Sequence, residues 1–190
     1  TKYEIAVNGG DGSSRQTTAG ASDTSATIGD LENGVNYTVS IVARNGAEKQ
    51  AEWSTPANAT PHGKPDPATG ITLKHVGSSA DGSTGSVDVS WKLGRSGGTN
   101  WGTTTVTVDG RDPITVDGST MSVHVDGVTP GNSVSVTVDL SNAEGDHSSS
   151  SQTFSLSTVP MPIGAPTLEG TGRHGQLVVR NLNKAPGNGF

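Results

Sequence analysis

The stretch LENGVNYTVSIVARNG, residues 31–46, decides the fold. Asn33-Gly34 supplies residue types that tolerate positive φ and so turn the chain. Tyr37, Val39, Ile41 and Ala43 then fall on one side of an extended segment, because side chains along a strand alternate with period two. Asn45-Gly46 ends the run. Aromatic and β-branched residues at alternate positions fit a half-buried pleated surface and not a helix.

The same pattern runs outward in both directions. Upstream, Tyr3, Ile5 and Val7 alternate and stop at Asn8-Gly9-Gly10-Asp11-Gly12, and Thr24 to Ile28 reads as a second short strand. Trp53 to Thr60 reads as the last strand of this block. Pro56, Pro61, Pro65 and Pro67 then mark a stiff connection that cannot donate ladder hydrogen bonds. The boundary is expected between about Pro61 and Ala68. Beyond it come Ile71 and Leu73; Val87, Val89, Trp91 and Leu93; Thr104, Val106 and Val108; Val123 and Val125; Val134, Val136, Val138 and Leu140; and Phe154 with Leu156. Strand signals at this spacing predict a β-sandwich. Val159-Pro160-Met161-Pro162 is a second boundary, after which Pro166 to Leu168 and Leu177 to Leu182 begin again. The blocks are therefore residues 1–61, 67–160 and 163–190.

Composition agrees with short strands and many turns: of 190 residues, 29% are hydrophobic and 4% aromatic, with 27 glycines and 10 prolines. A net charge of −6 offers no long-range attraction to phosphates or anionic lipid, so nucleic acid and membrane surfaces are poor partners. The absence of cysteine removes disulfides, thiolate catalysis and Cys-type zinc sites together. No signal peptide and no apolar run of about 18 residues or more is found. The start at Thr1-Lys2-Tyr3 reads as that of an excised fragment whose targeting sequence lies elsewhere.

Leu31 to Ile41 matches Val128 to Val138, and the asparagines that end the two strands, Asn45 and Asn142, are 97 residues apart, one sandwich domain. Here the chain resembles the fibronectin type III family, whose leucine, glycine, tyrosine, alternating valines and Ala-x-Asn before a Gly-containing loop are carried by residues 31–46. The resemblance covers nearly the whole chain and looks most like domains of bacterial, especially actinobacterial, surface or secreted proteins. It implies an all-β fold of tandem immunoglobulin-like β-sandwiches. It also implies structural roles: Leu31 and Tyr37 at a corner where the tyrosine hydroxyl bonds back to backbone, Trp91 as the buried strand-B tryptophan, and Trp53 as a core anchor at the start of the last strand. Val134 stands where the second block should have its corner tyrosine, so Pro130-Gly131 must hold that turn. In the terminal block Asn181 stands near the position of Trp91.

The blocks are out of phase with whole domains. The first is expected to lack the family's strands A and B, and residues 163–190 look like A and B with nothing after them. A half sandwich exposes an unpaired edge and half a core. The two are expected to complete each other, within one chain or by strand exchange between chains.

No reaction chemistry is legible. His62, His75, His124, His147 and His174 lack the i, i+2 and i, i+4 spacings that place two ligands on one metal. The turns at Asn8–Gly12 and Asp109–Asp112 lack the alternating acidic ladder of a calcium loop. No serine occupies a Gly-x-Ser-x-Gly elbow, and the expected reading has no catalytic, cofactor-binding or metal-binding residue. Recognition is expected at loops clustered at the sandwich ends. Arg44, Glu48 and Lys49 lie in the F–G loop of the first block, Glu144, Asp146 and His147 in that of the second, and Asn100 and Trp101 close its B–C loop. The expected function is a non-catalytic protein-binding module, extracellular or on a cell surface. Its partner would be an extracellular protein such as a host cytokine or receptor. The alternatives are a passive spacer and an accessory segment of a secreted carbohydrate-active enzyme.

Overall fold

The computed structural model describes residues 1–47, 51–80, 82–157, 167–171 and 173–180, and of Asn132 the backbone alone. Among the described residues every regular element is a strand. The chain divides into two compact units: Thr1–Asp66 with Arg95–Trp101 and Ser141–His147, and Pro67–Gly94 with Gly102–Leu140 and Ser148–Phe190.

The first unit is built on one antiparallel sheet in the order β2-β1-β3-β4, with β1 Lys2–Gly9, β2 Ser14–Gly20, β3 Tyr37–Arg44 and β4 Ala57–Ala59. Register sets Tyr3 against Ala43, Ile5 against Ile41 and Val7 against Val39, so the alternating residues of both strands share a face. Ile5, Val7 and Tyr37 are buried there, with Ala19, Ile28, Leu31, Val35 and Val39 packed on them. Ile41 lies on the same face and is 43% exposed, whereas Val42, on the other face, is 1% exposed.

Two expected strands move. Thr24 to Ile28 is irregular, because Asp23 accepts the Gly20 N–H at 2.7 Å and turns the chain off the sheet edge. The edge strand is instead β2, whose sequence SRQTTAG is nearly all polar. Of Trp53 to Thr60 only Ala57–Ala59 keeps the ladder, Pro56 having no N–H to donate. Before it, Ala51 N–H bonds Ala43 O at 3.0 Å and Ser54 N–H bonds Ile41 O at 2.9 Å.

In the second unit β5 Thr69–Ser78, β6 Gly85–Lys92 and β9 Ser122–Val128 form one sheet. β7 Trp101–Val108, β8 Ile114–Asp117, β10 Gly131–Asn142 and β11 His147–Leu156 form another, in the order β11-β10-β7-β8. The inward residues are the expected alternating ones. Val87, Val89 and Trp91 of β6 are at most 4% exposed, as are Thr104, Val106 and Val108 of β7 and Val134, Val136, Val138 and Leu140 of β10. This is the two-sheet core of an immunoglobulin-like sandwich. Val134 is buried at the position that lacks the corner tyrosine. β12 Thr167–Gly170 and β13 Leu177–Arg180 make a separate two-stranded sheet.

Candidate functional site

Within the first unit the segment 61–66 is bonded to the two loops that the sequence offered as recognition tips. Gly63 N–H donates to Gly97 O and Asn142 Nδ2 donates to Gly63 O, both at 2.9 Å. Asp66 N–H donates to Arg95 O at 2.8 Å, and Arg95 returns its own N–H to Asp66 Oδ2 at 2.9 Å. His62 Nδ1 lies 3.3 Å from Asp146 Oδ2. Gly97 and Gly98 both have positive φ, and a Cβ on either would overlap backbone, of Gly63 and of Gly34 respectively, so the chain approaches here only because side chains are absent. Asn142, 2% exposed, organises the 141–147 loop: its Oδ1 accepts the N–H groups of Glu144 at 3.1 Å and Asp146 at 3.0 Å.

The expected contact residues are thus placed unevenly. Ala143 N–H donates to Asn100 O at 2.9 Å, so the 95–101 and 141–147 loops meet, bringing Asn100, Glu144 and Asp146 together. Trp101 is half-buried as the first residue of β7, and His147 is exposed at the start of β11. Arg44 is drawn back onto its own sheet, its Nε 2.6 Å from Glu4 Oε2 in a pair only 24% and 19% exposed. Glu48 and Lys49 lie outside the described residues, as does Asn181.

Among the structural residues, Tyr37 is 4% exposed and its hydroxyl accepts the Glu32 N–H at 2.9 Å, tying the corner to the strand. Leu31 packs beside it. Trp91 is buried, with its Nε1 lacking a hydrogen-bond partner. Trp53 departs from its expected role as core anchor. It is 38% exposed, on a segment, residues 51–54, that runs beside β3. Its backbone is nevertheless fixed, since Ser54 bonds Ile41 at both N and O, the Oγ contact being 3.0 Å.

Among the described residues a cluster of charge on β6 and β9 was not anticipated. Asp88 and His124 are directly paired across β6 and β9, and His124 Nδ1 lies 2.7 Å from Asp88 Oδ1 while its Nε2 lies 3.2 Å from Asp126 Oδ1. Ser86 Oγ donates to Asp126 at 2.6 Å. The Asp88 bond, with that to Asp126, raises the His124 pKa, and the Ser86 bond chiefly lowers that of Asp126. The cluster borders an open groove of about 460 Å³ with Thr72, Lys74 and Ser90. A histidine with both ring nitrogens engaged by carboxylates holds its proton firmly, which suits a surface charge better than a proton-transfer group. Sequence spacing cannot find it, because strand register brings together residues 36 apart. Among the described residues no group of three or more His, Cys, Asp or Glu is placed to hold a metal ion. Nor is there among them a helix long and apolar enough to cross a membrane.

The fold and its surface define a class: antiparallel immunoglobulin-like scaffolds carrying loops. Residues 1–60 match the family model described as the fibronectin type III domain. No curated protein sequence matches the chain. Three solved structures resemble it. A two fibronectin type-III domain segment from chicken tenascin is 21% identical, the match covering 82% of this chain and 85% of that one with a TM-score of 0.42. The chicken CNTN1 FN1-FN3 domains are 17% identical over 82% of this chain and 56% of that one, TM-score 0.36. Domains d3-d4 of the rat CD45 extracellular region are 19% identical over 70% and 71%, TM-score 0.44.

Proposed function

We propose that the chain is a non-catalytic protein-binding module of a cell-surface or secreted protein. Trp53 carries this reading: a 38% exposed indole, beside the loop that follows Arg44, on a backbone pinned to β3. Tryptophans held in this way are frequent anchors of protein interfaces. The loops at 95–101 and 141–147 are engaged with residues 61–66, which shifts the recognition surface to the first block. A bacterial source, an extracellular location and a host cytokine or receptor as partner belong to the same proposal, supported by the cysteine-free, acidic composition. So does strand exchange between chains through residues 163–190. The test is surface binding of the chain and of Trp53→Ala to a panel of extracellular cytokines: the proposal expects a signal that Trp53→Ala abolishes without changing the far-UV circular dichroism. A complete absence of binding contradicts it.

The glycine-lined contact of Gly63 with Gly97 and with the Asn142 side chain favours a second reading, a spacer whose 61–66 segment is pinned by hydrogen bonds. A spacer keeps its biological effect when Trp53 is changed.

A further inference from the structure

Four asparagines precede a glycine, Asn8, Asn33, Asn45 and Asn188, and Asn188 lies outside the described residues. An Asn-Gly pair is chemically self-reactive, because a residue without a Cβ leaves its peptide nitrogen open to the preceding carboxamide. The reaction needs that nitrogen to reach Cγ, so its rate depends on how firmly the fold holds the pair. The three described pairs share one chemistry and have three different settings.

Asn8-Gly9 closes β1 and is held from both sides. Asn8 is in register with Ser14 of β2 and Thr38 of β3, and Gly9 with Tyr37. The Gly9 N–H donates to Ser13 O at 2.8 Å, and Ser14 Oγ donates to Asn8 Oδ1 at 2.9 Å. Asn33-Gly34 is held differently. The Gly34 N–H donates to Pro61 O at 2.9 Å, its φ is 85°, and a Cβ there would stand 3.0 Å from Gly98 Cα. Rotating either pair toward ring closure breaks a hydrogen bond and moves packed backbone.

Asn45-Gly46 lacks these restraints. β3 ends at Arg44, and Asn45, Gly46 and Ala47 are exposed in the turn that follows. A Cβ on Gly46 would meet no atom within 4 Å, and no hydrogen bond among the described residues engages its N–H. Asn45 Oδ1 accepts the Ala47 N–H at 3.0 Å, which folds the carboxamide back along the Gly46 peptide and draws electron density from Cγ.

We propose that Asn45 is a site of spontaneous covalent modification, converted through a cyclic imide to aspartate and isoaspartate while the fold protects Asn8 and Asn33. The Gly46 nitrogen attacks Asn45 Cγ. The N–Cγ bond forms, the Cγ–Nδ2 bond breaks, and the displaced amide group leaves as ammonia with the proton from the Gly46 nitrogen. Water then opens the imide at either carbonyl. The product adds one negative charge to the loop that follows Arg44, and the iso form routes the backbone through the side-chain carbon. The last fully buried residue of β3 is Val42, so the core is left as it was. The inference goes beyond the binding reading and does not rest on it. A partner that uses this loop would meet two chemical forms of the chain.

The test is peptide mapping over time of the whole chain, kept at mildly alkaline pH, both folded and in guanidinium chloride. Trypsin cuts after Arg15, Arg44 and Lys49 and so puts Asn8, Asn33 and Asn45 on different peptides. Conversion is read as the mass gained when OH replaces NH2. In the folded chain Asn45 should convert about ten-fold or more faster than Asn8 and Asn33, which react only through local opening. In guanidinium chloride the three should convert at similar rates. Gly46→Val should slow conversion of Asn45 several-fold in both states, since its branched side chain crowds the attacking nitrogen. Equal rates at the three sites in the folded chain, or an Asn45 slowed by folding as strongly as Asn8 and Asn33, overturn the proposal. A Gly46→Val chain that converts as fast as the native one overturns the imide route.

Discussion

The Tyr37 hydroxyl accepts the backbone N–H of Glu32 at 2.9 Å, joining the turn that precedes β3 to the first residue of that strand. Tyr37→Phe keeps the ring in the core and leaves that N–H without its acceptor. Unfolding in urea should show the first block destabilised by about 1 kcal/mol. The second block, with Val134 at the corner, should unfold at an unchanged midpoint.

Asn142 makes three hydrogen bonds from a site 2% exposed, two accepted from the 141–147 loop and one donated to Gly63 O. Asn142→Ala strands all three partners and should cost about 3 kcal/mol, near the upper end for a single polar substitution. Asn142→Asp keeps both accepted bonds but sets a buried carboxylate oxygen against Gly63 O, and should be no less destabilising. Denaturant melts of the two variants give the comparison.

His124 sits between Asp88 and Asp126, and the Asp88 bond holds its pKa above the ordinary histidine value of 6.5. Its folded-state pKa exceeds the unfolded one, so its contribution to stability is fully present below the unfolded value and is lost as pH rises through the folded one. On the acid side the sign reverses: Asp126 is depressed, mainly by Ser86, and its contribution is lost as pH falls through its folded value. The site is exposed, so the effect on stability is small. NMR titration should find the His124 pKa lowered in Asp88→Asn, by more than in Asp126→Asn.

Trp53 and Trp91 separate an exposed indole from a buried one, at 38% and 4% exposure. Trp91→Ala should cost about 3–5 kcal/mol, in the range for emptying an aromatic core position. Trp53→Ala should cost less than about 1 kcal/mol, as a surface change does. Thermal melts, with fluorescence quenching by acrylamide to rank the two indoles, check this.

Residues that state their own environment were readable in sequence. Val134, Val136, Val138 and Leu140 alternate strictly and are all buried. Tyr37 declares its corner through the turn before it and the valines after it. The polar strand β2 was not readable, since SRQTTAG has no apolar alternation and is held by its ladder to β1. Ile41 carries the right pattern and is still exposed, because burial depends on the layer that faces it and not on the strand that bears it. The His124 cluster and the bonds of Gly63 to Gly97 and Asn142 depend on register and loop approach, which composition and spacing leave open.

Hydrogen exchange followed residue by residue tests the claim that the inward face of β10 is buried along its length while that of β3 is buried at Tyr37 and open at Ile41. The account predicts that the amides of β10 exchange only by global opening of their block, and that those around Ile41 in β3 exchange orders of magnitude faster. Protection around Ile41 in β3 equal to that of β10 would contradict it.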